Sequence, residues 1–340
     1  MSAVQDVAAF VGVVLGIGMI FLATRSLARS KGKNIMNHVI YAALVLLVVF
    51  GLSVDAKEVI FTPLSVIMVG TVYPIYESLR AVCTIEETDD TTWLSYWIAQ
   101  GIISFSTEWV DGLGNSVSLT WNVFEFFFYL WLILPQTDGA ALIFDAFLGP
   151  IIAPLVQPLV TRADGFINKI VNLLTNATHL GFVWIVFVFL PSDLKRAIWI
   201  ILGTIYPLGS SIISVTTPEP ADDTFWLTYW SCFGALFLIV DFLENFLGFV
   251  PGFYSLAIFA TVYLMLPLFR GAEVVFRTVL VPLAGLQELL VKKDADAVKL
   301  SILAEVPPER RQLLMKEIAD SFVKGADELP KTPTGYNAIV

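Results

Sequence analysis

Two stretches of this chain repeat each other, and together they decide the fold. Residues 70–101 read GTVYPIYESLRAVCTIEETDDTTWLSYWIAQG. Residues 203–234 read GTIYPLGSSIISVTTPEPADDTFWLTYWSCFG and align with the first stretch without a gap, at a shift of 133 residues. Self-similarity over this length indicates one structural unit that is used twice.

The most specific element of the repeat is Asp-Asp-Thr-x-Trp-Leu-x-Tyr-Trp. Its members are Asp89, Asp90, Thr91, Trp93, Tyr96 and Trp97 in the first copy, and Asp222, Asp223, Thr224, Trp226, Tyr229 and Trp230 in the second. The Asp or Thr side chains are suited to cap the start of the next helix and to meet its positive dipole end. The three aromatic residues share one helix face, and such rings sit well at the lipid headgroup level. We predict that this element fixes the depth of the helix and packs the hairpins together.

A Tyr-Pro pair precedes this element in both copies, as Tyr73-Pro74 and Tyr206-Pro207. Each proline lies in an apolar helix and removes one backbone hydrogen bond, so a kink is expected. A bent arm suits a wedge-shaped domain, although a kink without functional use is equally compatible with the sequence.

The composition indicates an integral membrane protein. Apolar residues make up 57% of the chain and charged residues 15%, whereas soluble domains carry about a quarter charged residues. Lipid suits the long uncharged stretches because a helix satisfies its own backbone groups. We expect an all-α fold of two tandem repeats, each with two membrane hairpins and an amphipathic helix. Several arms fall short of the about 20 residues that cross a bilayer, so they would thin the membrane, tilt, or enter one leaflet.

The chain divides into four predicted regions. Residues 1–34 form a membrane helix whose basic flank is placed in the cytosol by the positive-inside rule. Residues 35–176 and 177–300 are the two repeats, and residues 301–340 are a tail with a short helix followed by disorder. Each repeat has an even number of arms, so the C-terminus is expected in the cytosol.

Each repeat ends in an amphipathic stretch, at residues 140–175 and 272–300. In the second stretch the apolar residues Val275, Val279, Leu283, Leu286, Leu289 and Leu290 recur at helical spacing. Such a helix can lie in the plane of the membrane surface and insert partway. Packing against the protein's own hairpins is the alternative.

No catalytic constellation emerges from the sequence. No Ser-His-Asp set, zinc-ligand cluster or phosphate loop can be assembled, so we expect neither enzyme activity nor a metal or other cofactor. The net charge of −10, without a basic stripe, disfavours nucleic acid as a partner. Glu125, inside an apolar segment, is compatible with a transport role or with simple packing. The segment Tyr336–Ile339 has the form of a short autophagy-adaptor motif.

The order of these elements resembles the receptor expression-enhancing protein family, which includes the yeast partner of a Rab-interacting protein and the abscisic-acid-inducible plant proteins. The resemblance covers about residues 38–300, twice over. It implies a reticulon-like hairpin protein of the endoplasmic reticulum that wedges the cytosolic leaflet. It also implies self-association and action alongside reticulons and dynamin-like fusion GTPases. Typical relatives carry one unit, so we hypothesise that the two fused units form within one chain the dimer that relatives form between chains.

The sequence therefore predicts a multi-pass protein of the endoplasmic reticulum membrane that bends the lipid bilayer and acts as a homo-oligomer or an intrachain pseudo-dimer. Two other classes of function stay open. The tail would suit an adaptor for membrane cargo trafficking or for turnover of the reticulum, and a cavity lined by Glu125 would suit a small-solute transporter.

Overall fold

The computed structural model describes residues 33–85, 87–111, 119–174, 190–217, 220–250, 252–266 and 269–305, together with residues 310 and 316. Within these ranges every regular element is a helix, which confirms the predicted all-α class. Three predicted segments lie largely outside the described residues: the N-terminal helix, the first arm of the second repeat, and the tail beyond residue 305. The chain divides into two compact units, residues 1–287 and residues 288–340, and the first unit holds both copies of the repeated motif.

The helices follow the order that the repeat predicts. In the first copy they are α1 Lys33–Gly51, α2 Val54–Ile60, α3 Pro63–Ile67, α4 Tyr73–Val82, α5 Glu87–Asp111, α6 Leu119–Ile133, α7 Gly139–Ile143 and α8 Ala153–Leu174. In the second they are α9 Ser192–Thr216, α10 Pro220–Leu247, α11 Phe253–Met265, α12 Gly271–Val275, α13 Val281–Ala284 and α14 Gln287–Glu305. Three π-helical turns, Met68–Val72, Phe144–Ile152 and Phe276–Leu280, join α3 to α4, α7 to α8 and α12 to α13.

Several of the described helices are long and apolar enough to cross a membrane. Three are single runs, Gly139–Ala163, Ser192–Thr216 and Ala221–Leu247. A fourth is the pair Ile35–Gly51 and Val54–Ile60, which bends by 119° at its break. The prediction of an integral membrane protein is thereby confirmed. The run Gly139–Ala163 falls where an amphipathic surface stretch is expected, and its length and composition also permit a crossing.

The turn of the first hairpin is built from two helix caps. Ser53 precedes α2, and its hydroxyl accepts a hydrogen bond from the backbone N–H of Ala56. Thr62 precedes α3 and accepts from the N–H of Ser65, with Pro63 at the first helical position. Because both caps satisfy backbone donors that a helix start leaves free, the chain reverses here through the short helix α2 instead of through an irregular loop.

The core lies where the two repeats meet. Helix α10 packs against α4 and α5, and α9 packs against α5, α8 and α11. The motif residues occupy this core: Leu94, Tyr96, Trp97, Leu227, Tyr229 and Trp230 are each at most 3% exposed. The two copies therefore share one hydrophobic core and do not form separate bodies within the first unit.

The two Tyr-Pro pairs have different helical surroundings. Pro74 lies in the first turn of α4, directly after the π-helical turn Met68–Val72. Turns of that kind are a usual place for helices to bend. Pro207 lies inside α9, which runs without interruption from Ser192 to Thr216. The helix of the second copy therefore continues through Pro207, where a kink was predicted.

The amphipathic stretch at residues 272–300 needs a correction, because it is not one helix. Gly285 has φ 71° and ends α13 in the left-handed conformation, which glycine adopts without a steric penalty. Leu286 is buried, with 6% of its surface exposed. Leu289 and Leu290 lie on the next helix, α14, in the second compact unit. The sequence periodicity continues across a point at which the backbone turns.

Candidate functional site

The motif residues first fix the geometry inside each repeat. The Tyr96 hydroxyl donates to the carbonyl of Gly70 at 2.7 Å, and the Tyr229 hydroxyl donates to that of Gly203 at 2.8 Å. The same correspondence holds for the tryptophans. Trp97 Nε1 donates to Ser78 Oγ at 2.8 Å, and Trp230 Nε1 donates to Ser211 Oγ at 2.9 Å. Each of these four bonds is buried and ties the motif helix to the helix before it.

The backbone at Gly70 and at Gly203 lies directly against an aromatic ring. A Cβ on Gly70 would lie 2.4 Å from Tyr129 Cδ2, and a Cβ on Gly203 would lie 2.3 Å from Phe233 Cε2. Contacts under 3.0 Å force the neighbours to move. Both carbonyls that receive the tyrosine hydroxyls therefore belong to positions where any side chain would push an aromatic ring away.

The acids and hydroxyls of the motif then cross from one repeat to the other. Thr91 Oγ1 donates to Asp223 Oδ2 at 2.6 Å, and Thr224 Oγ1 donates to Asp90 Oδ2 at 2.5 Å. Both carboxylates are buried, with 3% exposure for Asp90 and 5% for Asp223. Buried carboxylates are tolerated when hydrogen bonds satisfy them, so each repeat supplies the donor that the other repeat's acid requires.

A tryptophan pair closes the same contact. The indole rings of Trp97 and Trp230 stack with centroids 6.3 Å apart and planes within 6°. The glycines one turn further along are also reciprocal. A Cβ on Gly101 would lie 3.5 Å from Trp230 Cη2, and one on Gly234 would lie 3.2 Å from Trp97 Cη2. Small residues here let the two indoles lie flat against the facing helix.

These contacts form an isologous interface inside one chain. In a two-fold interface, residue i contacts j and the equivalent of j contacts the equivalent of i. Thr91–Asp223 with Thr224–Asp90 satisfies that relation, and so does the stack of Trp97 on its own equivalent, Trp230. The two copies thus pack as a pseudo-two-fold pair through their most specific motif.

The motif acids make a contact that the capping prediction does not include. In the described residues α5 begins at Glu87 and α10 begins at Pro220, so Asp90 and Asp223 lie close to the starts of their helices. Each carboxylate accepts a hydrogen bond from a threonine of the other repeat. Sequence spacing could not distinguish these roles, because capping and pairing both require an acid or hydroxyl near a helix start.

The remaining motif residues surround this contact. Tyr73 packs edge-on against Trp93 at 6.2 Å, and Tyr206 packs against Trp226 at 5.9 Å. Pro74 and Pro207 are fully buried. Asp89 and Asp222 are exposed and point away from the interface core. Sequence reasoning missed Gly70, Ser78 and their equivalents, although all four recur in the aligned stretches and that recurrence was the available signal.

Four of the six predicted surface residues lie in the first compact unit, and they do not share one exposed face. Val279 is 51% exposed and Leu283 is 83% exposed, whereas Val275 is half-buried and Leu286 is buried. The first repeat shows the same pattern at equivalent positions, since Phe147 and Ile151 are exposed. Beneath these residues, Phe144, Leu148, Phe276 and Leu280 are buried. The segment therefore has buried apolar side chains on its inner side and exposed apolar side chains on its outer side, where Arg277 and Thr278 are also exposed.

Among the residues that the structure describes, no three His, Cys, Asp or Glu side chains are grouped closely enough to hold a metal ion. The two cysteines, Cys83 and Cys232, are both buried and unlinked. The chemistry of the site consists of hydrogen bonds, aromatic packing and apolar surface.

Comparisons with known proteins find the same unit twice. The sequence profile of the TB2/DP1, HVA22 family matches residues 74–151 and again residues 207–283. Protein YOP1 of Mycosarcoma maydis is 35% identical over 82 residues, which are 24% of this chain and 48% of that protein. HVA22-like protein e of Arabidopsis thaliana is 35% identical over 75 residues, which are 22% of this chain and 65% of that protein.

A vertebrate relative is similar over a comparable length. Receptor expression-enhancing protein 4 of Xenopus laevis is 28% identical over 95 residues, which are 28% of this chain and 36% of that protein. The matched region spans about half the length of the YOP1 relatives. No solved structure matches this chain. The chain therefore carries the domain of the TB2/DP1, HVA22 family twice in tandem.

Proposed function

We propose that this protein generates curvature in the membrane of the endoplasmic reticulum and stabilises its tubules, with hairpins that act as wedges. The observation that carries the proposal is the length of the second arm of the second repeat. Helix α11 has 13 residues, Phe253–Met265, and at 1.5 Å per residue it reaches about 20 Å, less than the roughly 30 Å of a bilayer core. Its partner α10 is described over 28 residues. In the first repeat, the structure describes 15 residues of the second arm, Leu119–Ile133.

A hairpin with one short arm occupies more area in one leaflet than in the other. The shorter helix fills only the leaflet in which its loop to the surface begins, because it cannot reach the opposite headgroups. Two hairpins lie in one chain, and their motif helices are held in a fixed pair by the Thr–Asp bonds. Because the pair of hairpins is rigid, the bilayer deforms to fit the protein and the protein does not deform to fit the bilayer.

The segments that follow the second arm of each repeat add to the same effect. Phe147 and Ile151 in the first copy, and Val279 and Leu283 in the second, are exposed and apolar. Because their opposite side is fixed on the protein by buried residues such as Phe276 and Leu280, these side chains are available to lipid. Insertion of apolar side chains into one leaflet favours curvature.

The remaining features belong to the same proposal. By the positive-inside rule the C-terminus is cytosolic, and the pseudo-two-fold pair takes the place of a dimer between single-unit chains. Higher assembly, reticulons and dynamin-like fusion GTPases are proposed partners, and enzyme activity is not part of the function. The adaptor alternative rests on residues 301–340, most of which lie outside the described part of the chain.

Reconstitution into liposomes tests the proposal. The purified chain, added at rising protein-to-lipid ratio, is expected to convert spherical vesicles into narrow tubules or very small vesicles under the electron microscope. The double change Val279→Glu with Leu283→Glu should weaken this effect, since both side chains are exposed. Thr278→Glu is the matched control, because Thr278 is also exposed but is not apolar. Large, unchanged vesicles at every ratio would refute the curvature proposal.

A second measurement tests the pseudo-dimer separately. At low concentration in detergent, the chain should remain folded while its mass corresponds to one copy, because the partner repeat is already present. If the thermal unfolding temperature fell steeply on dilution, the second chain would be required and the intrachain pair would not be the folding unit.

A further inference from the structure

A cavity of about 320 Å³ lies between the two repeats. Helices α5 and α6 line it from the first copy, and α9 and α10 line it from the second. The stacked indoles of Trp97 and Trp230 form part of its wall. The cavity therefore lies in the interface between the two repeats, next to the stacked tryptophans.

Polar side chains converge on this cavity although it is surrounded by apolar membrane helices. They include Gln100, Ser104, Glu125, Arg196, Thr204 and Asp241. Charged and polar groups at membrane depth cost free energy unless they have partners, and they usually mark a site where a polar ligand or water is bound. Their grouping around one volume points to a ligand that carries both positive and negative charge.

Glu125 and Arg196 are not part of the repeated scaffold. Arg196 corresponds to Pro63 in the first copy, and Glu125 corresponds to Ala257 in the second. Asp241, the third charged residue of the cavity, does recur, because it corresponds to the acid Glu108. The first copy thus supplies one acid, and the second copy supplies the base together with a second acid.

Glu125 and Arg196 each have a protein partner and also line the cavity. Tyr129 hydroxyl donates to Glu125 Oε1 at 3.4 Å, and Arg196 Nε lies 3.5 Å from Glu244 Oε2. A guanidinium has five N–H donors in a planar fork, so Arg196 can pair with Glu244 and bind an anion at the same time. Phosphate is the anion that this geometry fits, because its oxygens accept two parallel hydrogen bonds.

The aromatic residues of the cavity suit an organic cation. Trp97, Trp230, Phe233 and Phe237 all line the cavity, and the faces of aromatic rings attract ammonium groups, above all quaternary ones. The Glu125 carboxyl group lines the same cavity and adds a negative charge when it is ionised. A volume near 320 Å³ is also within the range of small-ligand sites, which begin at about 300 Å³.

We propose that the cavity binds the headgroup of a zwitterionic phospholipid, with its phosphate on Arg196 and its ammonium among the tryptophans and Glu125. The acyl chains stay in the surrounding bilayer, so the protein holds one lipid between its two repeats. Free phosphocholine has the same chemistry, and the experiment below separates the two sources. This site is independent of the curvature proposal, since it needs neither the short arm nor the exposed apolar face.

Native mass spectrometry of the full chain, released from nanodiscs of phosphatidylcholine, is the first test. The wild-type protein should retain one phosphatidylcholine per chain. Arg196→Gln and Glu125→Gln should each lower the retained fraction at least tenfold. Arg270→Gln and Glu273→Gln are matched controls, because that exposed pair lies outside the cavity, and both should retain lipid as the wild type does. Equal retention in all five proteins would overturn the proposal.

Two further measurements use only the wild-type chain, so they do not depend on the variants' folding. A phosphatidylcholine with a photoreactive headgroup should label residues 100–105 or 237–241, and labelling confined to other segments would overturn the site. In nanodiscs of anionic phosphatidylglycerol the retained fraction should fall at least tenfold, and undiminished retention would refute recognition of the zwitterion. Calorimetric binding of free phosphocholine, or choline flux across vesicles, without any retained lipid would replace the lipid site by a soluble-ligand site.

Discussion

The two repeats have the same order of helices, but different residues pack against the equivalent glycines Gly70 and Gly203. In the first copy, the ring against Gly70 is that of Tyr129, which comes from α6. In the second copy, the ring against Gly203 is that of Phe233, which comes from α10, and Thr261 stands at the position of Tyr129.

The two copies also differ at a third position of this core. Trp199 in the second copy corresponds to Val66 in the first, and its Nε1 donates to the Thr261 hydroxyl at 2.9 Å. Bulk lost at one position of a core is regained at another, as close packing of protein interiors requires. Val66 and Gln100, the smaller members in the first copy, both line the cavity between the repeats. The difference between the copies shows that the two cores are packed by different residues, and members of both sets lie on the wall of the cavity.

The largest expected change in stability comes from introducing Tyr129 of the first copy at its equivalent position in the second copy, Thr261, with no other change. Thr261→Tyr should lower the free energy of unfolding by about 3 kcal/mol, because Thr261 is fully buried and overpacked cores cost up to about that amount. Adding Trp199→Val and Phe233→Gln recreates the first copy's set and should recover at least half of the loss. Thermal unfolding in detergent measures both. Thr278→Tyr, at an exposed position, should change stability by less than about 0.5 kcal/mol.

If the triple variant were as unstable as the sum of its separate changes, the three positions would act independently. The interpretation of the two cores as alternative packings of one space would then be wrong.

The next largest change in stability is expected at Asp90 and Asp223, the carboxylates that bind the threonines of the other repeat. Asp223 accepts hydrogen bonds from Thr91 and from Ser214, each at 2.6 Å. The first copy has Ala81 at the position of Ser214. We expect Asp223→Ala to lower the free energy of unfolding by about 1 kcal/mol more than Asp90→Ala does, since Ser214 gives Asp223 a buried hydrogen bond that Ala81 cannot give Asp90, and such a bond contributes about 1 kcal/mol.

A double-mutant cycle between Ser214→Ala and Asp223→Ala checks the cause of that difference. The coupling should be about 1 kcal/mol, and in the Ser214→Ala background the two aspartate changes should become similar. Equal losses for Asp90→Ala and Asp223→Ala in the wild-type background would contradict this explanation.

A smaller change in stability is expected at the two equivalent tryptophans, and it should be the same in both copies. Trp97→Phe and Trp230→Phe each remove one indole N–H that donates to a buried serine, at 2.8 and 2.9 Å. Each change should lower the free energy of unfolding by about 1 kcal/mol. Chemical denaturation of the two variants in parallel measures the difference, and a gap of more than about 1 kcal/mol would show that the pseudo-symmetry is structural but not energetic.

The smallest effect concerns two equivalent residues with positive φ. Asp138 has φ 47° and Arg270 has φ 48°, each just before the glycine that starts α7 or α12. The left-handed region is costly for most side chains but is tolerated by aspartate. Arg270→Gly should therefore raise the free energy of unfolding by about 0.5 kcal/mol, net of the exposed ion pair with Glu273. Asp138→Gly should raise it by less, and the opposite order in thermal melts would refute the strain argument.

The sequence predicted much of the site but not all of its contacts. The i, i+3, i+4 spacing of Trp93, Tyr96 and Trp97 placed these rings together, and the structure agrees. The acids were expected to cap their own helices, and the prediction did not include the hydrogen bonds that they accept from threonines of the other repeat. An amphipathic helix over residues 272–300 was expected, yet Gly285 divides it. Local patterns show which residues share a face of a helix, but they do not show what that face meets.

The sequence by itself determined that this is an α-helical membrane protein with a duplicated domain. Apolar composition selects lipid as the solvent, helices are the elements that satisfy their own backbone there, and the repeat is visible by alignment. Only the tertiary structure decided that the two copies pair through crossed Thr–Asp bonds and a tryptophan stack, and that Glu125 and Arg196 line one cavity. The reason is that these contacts join residues far apart in the chain, and the buried space left between diverged copies depends on all the side chains around it.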